Sequence, residues 1–285
     1  MATFFGEVLS VYSRAVEEDD RDDEEEENEE DVEIRRELEE KRKVQMKWCS
    51  DEGQAIEGSS DKKRTCSHLI VAVGTNATGF VSAFILNSAS WHRVGWLSVW
   101  NERSRGSGPS PNPPAPGEPG CVLYQQRDDD SVLICQCSSY VAEDQLFQWT
   151  EQLFMCLQKR GLAVTVLSDV PVAEYKTPDY VHGSDVPFLR ALSSSAYKGP
   201  VTCPFLEQPN IVTGLAAAVL SHCQVHSIPA VLYQNYSDVI SADSDTMEAY
   251  RHAVSSAKGI KLDPPSADVL QKFTKASDLH GNLYT

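Results

Sequence analysis

Apolar runs of strand length alternate with longer segments of helical periodicity through residues 66–279. The first run, residues 68–73, is almost continuously apolar, which is typical of a strand covered on both faces of a sheet. Similar runs predict further strands at residues 94–100, 121–124, 131–137, 162–167 and 228–234. Apolar positions three and four apart predict helices at residues 78–90, 143–159, 213–225, 247–257 and 266–279.

Strands that alternate with helices predict an α/β fold, a three-layer α/β/α sandwich with a mostly parallel sheet. The tight polar connection at residues 125–130 predicts a hairpin between the strands on either side of it, at one edge of the sheet. Residues 188–192 are predicted to add one helical turn after a long loop with several prolines at residues 170–187.

The segments around this core have different compositions. Residues 1–32 are predicted to be a disordered acidic segment. Residues 33–65 are predicted to form a charged helix, over Glu33–Trp48, and a polar linker. Residues 103–120 are rich in Gly, Ser and Pro, so a disordered insertion is expected there. Residues 66–279 would thus form a single α/β domain.

The charge of the chain narrows its class of partner. The formal net charge is −17, and residues 17–31 hold thirteen acidic residues and one arginine, a net charge of −12. Acidic runs are usually solvated and self-repelling. Because the sequence also has no basic stripe, nucleic acid is not expected as a partner.

Targeting signals are not evident. No apolar run reaches about 18 residues, so membrane insertion is not expected. Residues 1–16 lack a basic start and have Glu7 inside their apolar part, which makes them a poor signal peptide. We therefore expect the eight cysteines to be thiols in a reducing compartment, several of them buried as small hydrophobes.

The turn Gly74-Thr75-Asn76 lies between a strand and a helix, as phosphate-binding turns do. It lacks the lysine and the further glycines of the known phosphate-binding motifs, so a purely structural turn is the better interpretation.

Five residues have the chemistry of metal ligands: Cys135 and Cys137 on a predicted strand, and His222, Cys223 and His226 at the end of a predicted helix. Neither group has the Cys-x-x-Cys spacing of structural zinc sites, and both lie in apolar elements. No nucleophile–base set is visible either. We therefore expect no catalytic residue, no cofactor and no metal.

The most informative segment is the tail at residues 280–285, which Gly281 would release from the last helix. Leu283, Tyr284 and Thr285 present an aliphatic side chain, a phenol and the terminal carboxylate on a mobile stem. Such a tail can enter a pocket on another protein, where the carboxylate meets a lysine or backbone N–H groups. A frayed terminus without a role is the alternative.

Several segments, spread in order over nearly the whole chain, give it a resemblance to the proteasome assembly chaperone family. These segments are residues 2–8, 133–145, 148–149, 187–192, 206–212, 217–221, 223–225, 228–233 and 282–285.

The resemblance implies a chaperone without catalytic activity. It implies a heterodimer with proteasome assembly chaperone 2, a homologous α/β protein, and binding to the ring of proteasome α subunits during assembly of the 20S proteasome. The family's C-terminal hydrophobic–Tyr–any-residue motif matches Leu283, Tyr284 and Thr285, which would dock between adjacent α subunits. The family is chiefly cytoplasmic, with some association with the endoplasmic reticulum.

Two alternatives stay open at this point. One is a small-molecule enzyme or binding protein on the same sandwich, with its site near Gly74–Asn76, because such sheets bind ligands at the carboxyl ends of their strands. The other is an adaptor that holds a basic partner with its acidic run.

Overall fold

The structure is a computed structural model that describes residues 28–49, 55–56, 63–103, 112–115, 118–178, 186–238, 242–255, 260–265 and 267–271. Two compact units are distinguished, Met1–Glu40 and Lys41–Thr285. The described part of the first unit belongs to helix α1 (Glu29–Arg42), which is charged and exposed along its length. Most of the predicted acidic segment, residues 1–27, and the predicted tail lie outside the described residues.

The second unit contains a sheet that has nine strands within the described residues. They are β1 (Gln45–Cys49), β2 (Ala55–Ile56), β3 (His68–Val73), β4 (Trp91–Ser98), β5 (Cys121–Gln126), β6 (Val132–Cys137), β7 (Ala163–Pro171), β8 (Phe188–Ser193) and β9 (Ala230–Ser237). Their order across the sheet is β2-β1-β4-β5-β6-β3-β7-β9-β8.

Parallel pairing is confined to the centre of the sheet. Strands β6, β3, β7 and β9 run parallel, whereas the strands on both sides of this block pair antiparallel. The predicted hairpin is confirmed, because β5 and β6 pair antiparallel with Cys121 opposite Cys137. Its predicted position at an edge was wrong, because β4 and β3 flank the hairpin within the sheet. The sheet is therefore mixed, with its parallel part at the buried centre, where both faces are covered.

Helices cover both faces of the sheet, which confirms the three-layer sandwich. Helices α3 (Leu146–Met155) and α4 (Gly214–Val225) pack with Leu69 and Val71 of β3 in one core. Helices α2 (Thr75–Phe84), α5 (Ser244–Glu248) and α6 (Tyr250–Ser255) pack with Ile70 and Ala72 in the other. Alternate residues of one strand thus serve opposite layers.

The charged helix predicted over Glu33–Trp48 was wrong at both ends, because α1 already begins at Glu29, inside the segment predicted to be disordered. Helix α1 stops at Arg42, and Gln45–Cys49 form β1, which pairs antiparallel with β4. Met46 and Trp48 are partly buried and pack against the core of the sandwich. This tertiary contact outweighs the local helical pattern, which has no proline or glycine to mark a break.

The predicted helical turn at residues 188–192 was also wrong. These residues belong to β8, which pairs antiparallel with β9 at the edge of the sheet, Leu192 opposite Leu232. A run of six residues is too short for periodicity to distinguish a strand from a helix.

The predicted insertion is packed in part. Within residues 112–115, the carbonyl oxygen of Pro114 accepts a hydrogen bond of 3.2 Å from Arg93 Nη1 on β4, and residues 104–111 lie outside the described part. Of the last predicted helix, residues 267–271 are helical and residues 272–279 are not described. In the described segments, no helix has the length and apolarity needed to cross a membrane.

Candidate functional site

The tail residues singled out by the sequence, Leu283, Tyr284 and Thr285, lie outside the described residues. The candidate sites that can be built from geometry are four: the turn at Gly74, a cleft beside α2, an arginine cluster at the β8 edge, and the outer surface of α3 and α4.

The turn at Gly74 is filled by a carboxylate of the protein itself. Val73 and Ser168 are opposite each other on the parallel strands β3 and β7, so Asp169 comes next to the start of α2. Asp169 Oδ1 accepts a hydrogen bond of 3.0 Å from the backbone N–H of Ala77 in the first turn of that helix. Burial raises the pKa of the Asp169 carboxyl, and hydrogen bonds from Ala77 and Asn76 oppose this shift.

Asp169 therefore occupies the position that a ligand anion would take at a helix N-terminus. The fit is tight, because a Cβ built on Gly74 would lie 2.5 Å from Asp169 Oδ1. Gly74 has φ +97° and ψ 170°, a conformation essentially restricted to glycine. The turn works as an internal cap on α2, which favours the structural interpretation over the ligand-binding one.

A cleft of about 380 Å³ with mixed polar and apolar lining lies between α2 and strands β4, β5 and β6. Gln136 lines the cleft, and its Nε2 donates hydrogen bonds to the carbonyl oxygen of Thr78 at 2.8 Å and to Ser82 Oγ at 2.6 Å. The charged side chains on its wall are Arg93 and Glu118. Its described lining contains no histidine, cysteine or aspartate.

An arginine packs against two aromatic rings at the β8 edge. The Arg190 guanidinium lies 4.7 Å from the ring centre of Phe188 and 5.4 Å from that of Tyr175. Its Nε donates to Glu207 Oε2 at 3.1 Å, and the Tyr175 hydroxyl donates to Glu207 Oε1 at 2.5 Å. Tyr236 stacks on Phe188 from β9. The set ties the loop that carries Glu207 to the edge of the sheet.

The outer surface of α3 and α4 exposes large apolar side chains. Phe147 and Met155 on α3 are 74% and 58% exposed, and Val225 on α4 is 78% exposed. Phe147, Glu151 and Met155 follow one another at four-residue intervals, so they share one face of α3. Apolar side chains at this exposure are common singly, but several on two adjacent helices indicate an interaction surface.

A polar cluster connects these two helices. Glu151 Oε1 lies 3.2 Å from His222 Nδ1 and 4.0 Å from His226 Nε2. The His222 ring stacks on Phe154 with centroids 4.4 Å apart and contacts the His226 ring at 4.2 Å. Burial lowers the pKa of His222 to about 4, the charges of His226 and Lys159 act in the same direction, and Glu151 opposes them.

This pKa predicts a pH dependence of stability. The unfolded chain binds a proton at His222 below about pH 6.5, whereas the folded chain does so only near pH 4. The contribution of His222 is therefore fully present above about pH 6.5 and is lost as the pH falls, by about 2 kcal/mol at pH 5. Burial also lowers the pKa of His68, so urea unfolding with a chelator present should show a smaller loss between pH 7 and pH 5 in His222→Gln than in the wild type, not its absence.

The control is His252→Gln, which changes an exposed histidine on α6. It should keep the wild-type pH slope between pH 7 and pH 5. An equal slope in His222→Gln and the wild type would contradict the assignment.

Sequence reasoning placed His222 and His226 together but missed Glu151 and Asp169. Glu151 could be found as the middle member of an exposed four-residue repeat on α3, although its partner helix follows only from the topology. Cys135 and Cys137 are buried thiols, and burial raises the pKa of Cys135 well above its ordinary value. Within the described part of the chain, only Glu151, His222 and His226 group as metal-type ligands.

The sandwich is similar to several solved structures. Pyrococcus furiosus PbaA, an archaeal homolog of proteasome-assembly chaperone, aligns with a TM-score of 0.54 at 8% identity, covering 84% of this chain and 97% of that chain. Pyrococcus furiosus PbaB, an archaeal proteasome activator, aligns with a TM-score of 0.51 at 10% identity, covering 86% and 100%. At these identities the likeness defines the fold alone.

The family follows from the sequence comparisons. The family model described as Proteasome assembly chaperone 4 matches residues 1–285. Proteasome assembly chaperone 1 of Danio rerio is 57% identical over 286 residues, covering 100% of both chains, and that of Homo sapiens is 41% identical over 289 residues, covering 100% of this chain and 99% of its own. The chain therefore belongs to the PAC1 family of proteasome assembly chaperones, and the resemblance noted in its sequence is confirmed.

Proposed function

We propose that this chain is a non-catalytic chaperone of 20S proteasome assembly, which pairs with proteasome assembly chaperone 2 and binds the ring of α subunits. The observation that carries the proposal is identity of 41–57% over the full length of relatives named Proteasome assembly chaperone 1. The expected compartment is the cytoplasm, with some association with the endoplasmic reticulum.

The geometry supports a binding role over a catalytic one. The turn at Gly74, where the enzyme alternative would place its ligand, holds the Asp169 carboxylate against α2. Phe147, Met155 and Val225 expose apolar surface on adjacent helices, as binding proteins do.

The tail is the proposed contact with the α ring. Leu283 would be buried in an apolar pocket between adjacent α subunits, Tyr284 would stack there and donate its hydroxyl, and the carboxylate of Thr285 would pair with a lysine. One tail of this size binds weakly. A second tail on the partner chain and a docking face would raise the affinity through effective concentration.

Deleting Leu283, Tyr284 and Thr285 is expected to weaken binding to the α ring about tenfold or more, because a desolvated charge pair and a buried aliphatic contact are lost. The measurement is affinity for purified α-subunit rings of the heterodimer with and without the deletion. Thermal unfolding should be unchanged, since a tail contact adds nothing to the isolated domain.

A second variant keeps every residue of the tail and changes only the position of the terminal carboxylate. One glycine added after Thr285 displaces the terminal carboxylate by one residue, so it should reduce the affinity nearly as much as the deletion. Affinity unchanged by both variants would remove the tail from the mechanism while leaving the chaperone role intact.

The chaperone role itself has a separate test. Affinity purification of the full-length chain from cells of its source should recover a homologous α/β partner in stoichiometric amount, with proteasome α subunits and few mature β subunits. Recovery of the chain alone would contradict the proposed function.

A further inference from the structure

We propose that Glu151, His222 and His226 form a binding site for one divalent transition-metal ion of the zinc class, at the surface where α3 meets α4. The site is independent of the tail and of the assembly role, and it differs from the sequence-based expectation that no metal is bound. The difference arises from Glu151, which the fold adds to two histidines whose own spacing was not sufficient.

The backbone places the three ligands together. His222 and His226 are four residues apart, so they face the same side of α4 at its carboxyl end. Glu151 faces them from α3, the neighbouring helix in the same layer. One ligand atom from each side chain lies within 4.8 Å of the other two.

These distances are close to those of a bound ion. Tetrahedral zinc with bonds of about 2.0–2.2 Å holds its ligand atoms roughly 3.3–3.5 Å apart. The distance from Glu151 Oε1 to His222 Nδ1, 3.2 Å, already fits. The distance to His226 Nε2, 4.0 Å, must shorten by about 0.5–0.7 Å, and the ligand atoms of the two histidines, which lie within 4.8 Å of each other, must also approach. The His226 side chain is 38% exposed, so it can make this adjustment.

The most buried ligand is held in place before any ion binds. The His222 side chain is only 5% exposed, and Phe154 stacks on its ring at an interplanar angle of 15°. A ligand fixed in this way loses little conformational freedom on binding. Two imidazoles and a carboxylate suit zinc, copper or nickel better than calcium or magnesium, which prefer oxygen ligands alone.

Two features limit the affinity. When Nδ1 of His222 binds the ion, the ring proton resides on Nε2, which is buried without a hydrogen-bond partner among the described residues. Nε2 has no partner among the described residues in the ion-free site either, so the added cost is the transfer of the ring proton away from Nδ1, which lies 3.2 Å from Glu151 Oε1. In addition, the positive charge of Lys159 acts on the same imidazole. The site is therefore an exchangeable one, in which water would take the fourth coordination position, beside the exposed His226.

The test uses the full chain, freed of metal with a chelator, and zinc chloride as the probe. Calorimetry should show one zinc ion per chain with a dissociation constant in the micromolar range. His226→Ala and Glu151→Gln should each weaken binding about tenfold or more, because each removes one of three ligands. His252→Ala, which removes an exposed histidine of α6, should leave binding unchanged.

Cobalt(II) provides a readout of ligand identity. Cobalt bound at this site should give visible d–d bands without thiolate-to-metal charge transfer, because the ligands are nitrogen and oxygen. Thiolate charge transfer would assign the ion to cysteines and overturn the proposal. Zinc binding of equal strength in the wild type and both ligand variants would also overturn the proposal. So would the absence of binding at about 100 µM zinc, a concentration that corresponds to a binding free energy of about −5.5 kcal/mol. Circular dichroism of each variant distinguishes loss of a ligand from loss of the fold.

Discussion

Gly74→Ala is expected to lower the free energy of unfolding by about 3–5 kcal/mol. Two costs add. An alanine at φ +97° and ψ 170° occupies a region that side chains strongly disfavour. Its Cβ would also lie 2.5 Å from Asp169 Oδ1, so the carboxylate must move away from the N–H of Ala77. Urea unfolding followed by circular dichroism measures the loss.

Gly161→Ala is the matched control. Gly161 also has a positive φ, +80°, but a Cβ there meets nothing within 4 Å. Only the backbone cost remains, about 1–2 kcal/mol. A double-mutant cycle with Asp169→Ala should relieve the steric part of the Gly74→Ala loss but not the backbone part. Equal losses at Gly74 and Gly161 would mean that Asp169 does not fill the turn.

Trp149→Ala should lower the free energy of unfolding by about 3–5 kcal/mol, because it removes the largest buried side chain of α3. Trp149 is fully buried in the core that α3 and α4 form with the sheet. Its Nε1–H donates a hydrogen bond of 3.4 Å to Cys121 Sγ on β5. Truncation leaves a cavity between helix and sheet that neither can close. Chemical denaturation measures this loss, and Trp149→Phe should recover most of it by refilling the space.

Phe147→Ala, two residues away on the same helix, separates burial from aromatic character. Phe147 is 74% exposed, so its truncation should change the free energy of unfolding by less than about 0.5 kcal/mol. A loss comparable to that of Trp149→Ala would show that Phe147 is covered in the folded chain.

The elements at the buried centre of the fold could be predicted from the sequence. Strand β3 and helix α4 were placed within two residues of their bounds, because a doubly covered strand and a long amphipathic helix have strong patterns. Strands β1 and β8 were not found, since each lies near one side of the sheet and is only partly buried, without the continuous apolar run of a doubly covered strand. Their structure is decided by partners remote in sequence, β4 and β9.

The candidate sites show the same limit. The pair His222 and His226 could be recognised from its spacing, but Glu151 lies on another helix. Asp169 gave no signal at all, because its role depends on β3 and β7 being neighbours. Local patterns identify which residues are chemically able to act, whereas the order of the strands decides which of them meet.

The position of β1 determines where a shortened chain can begin. Val44, just before this strand, is buried, and its N–H donates to Gln148 Oε1 on α3 at 3.1 Å. A fragment that starts at residue 66, where the apolar runs begin, would lack β1 and leave the hydrogen-bonding edge of β4 bare. Such an edge is a template for pairing with another chain, so this fragment would tend to aggregate. The folding unit is thus longer than its hydrophobic pattern, and its first strand protects the sheet against self-association.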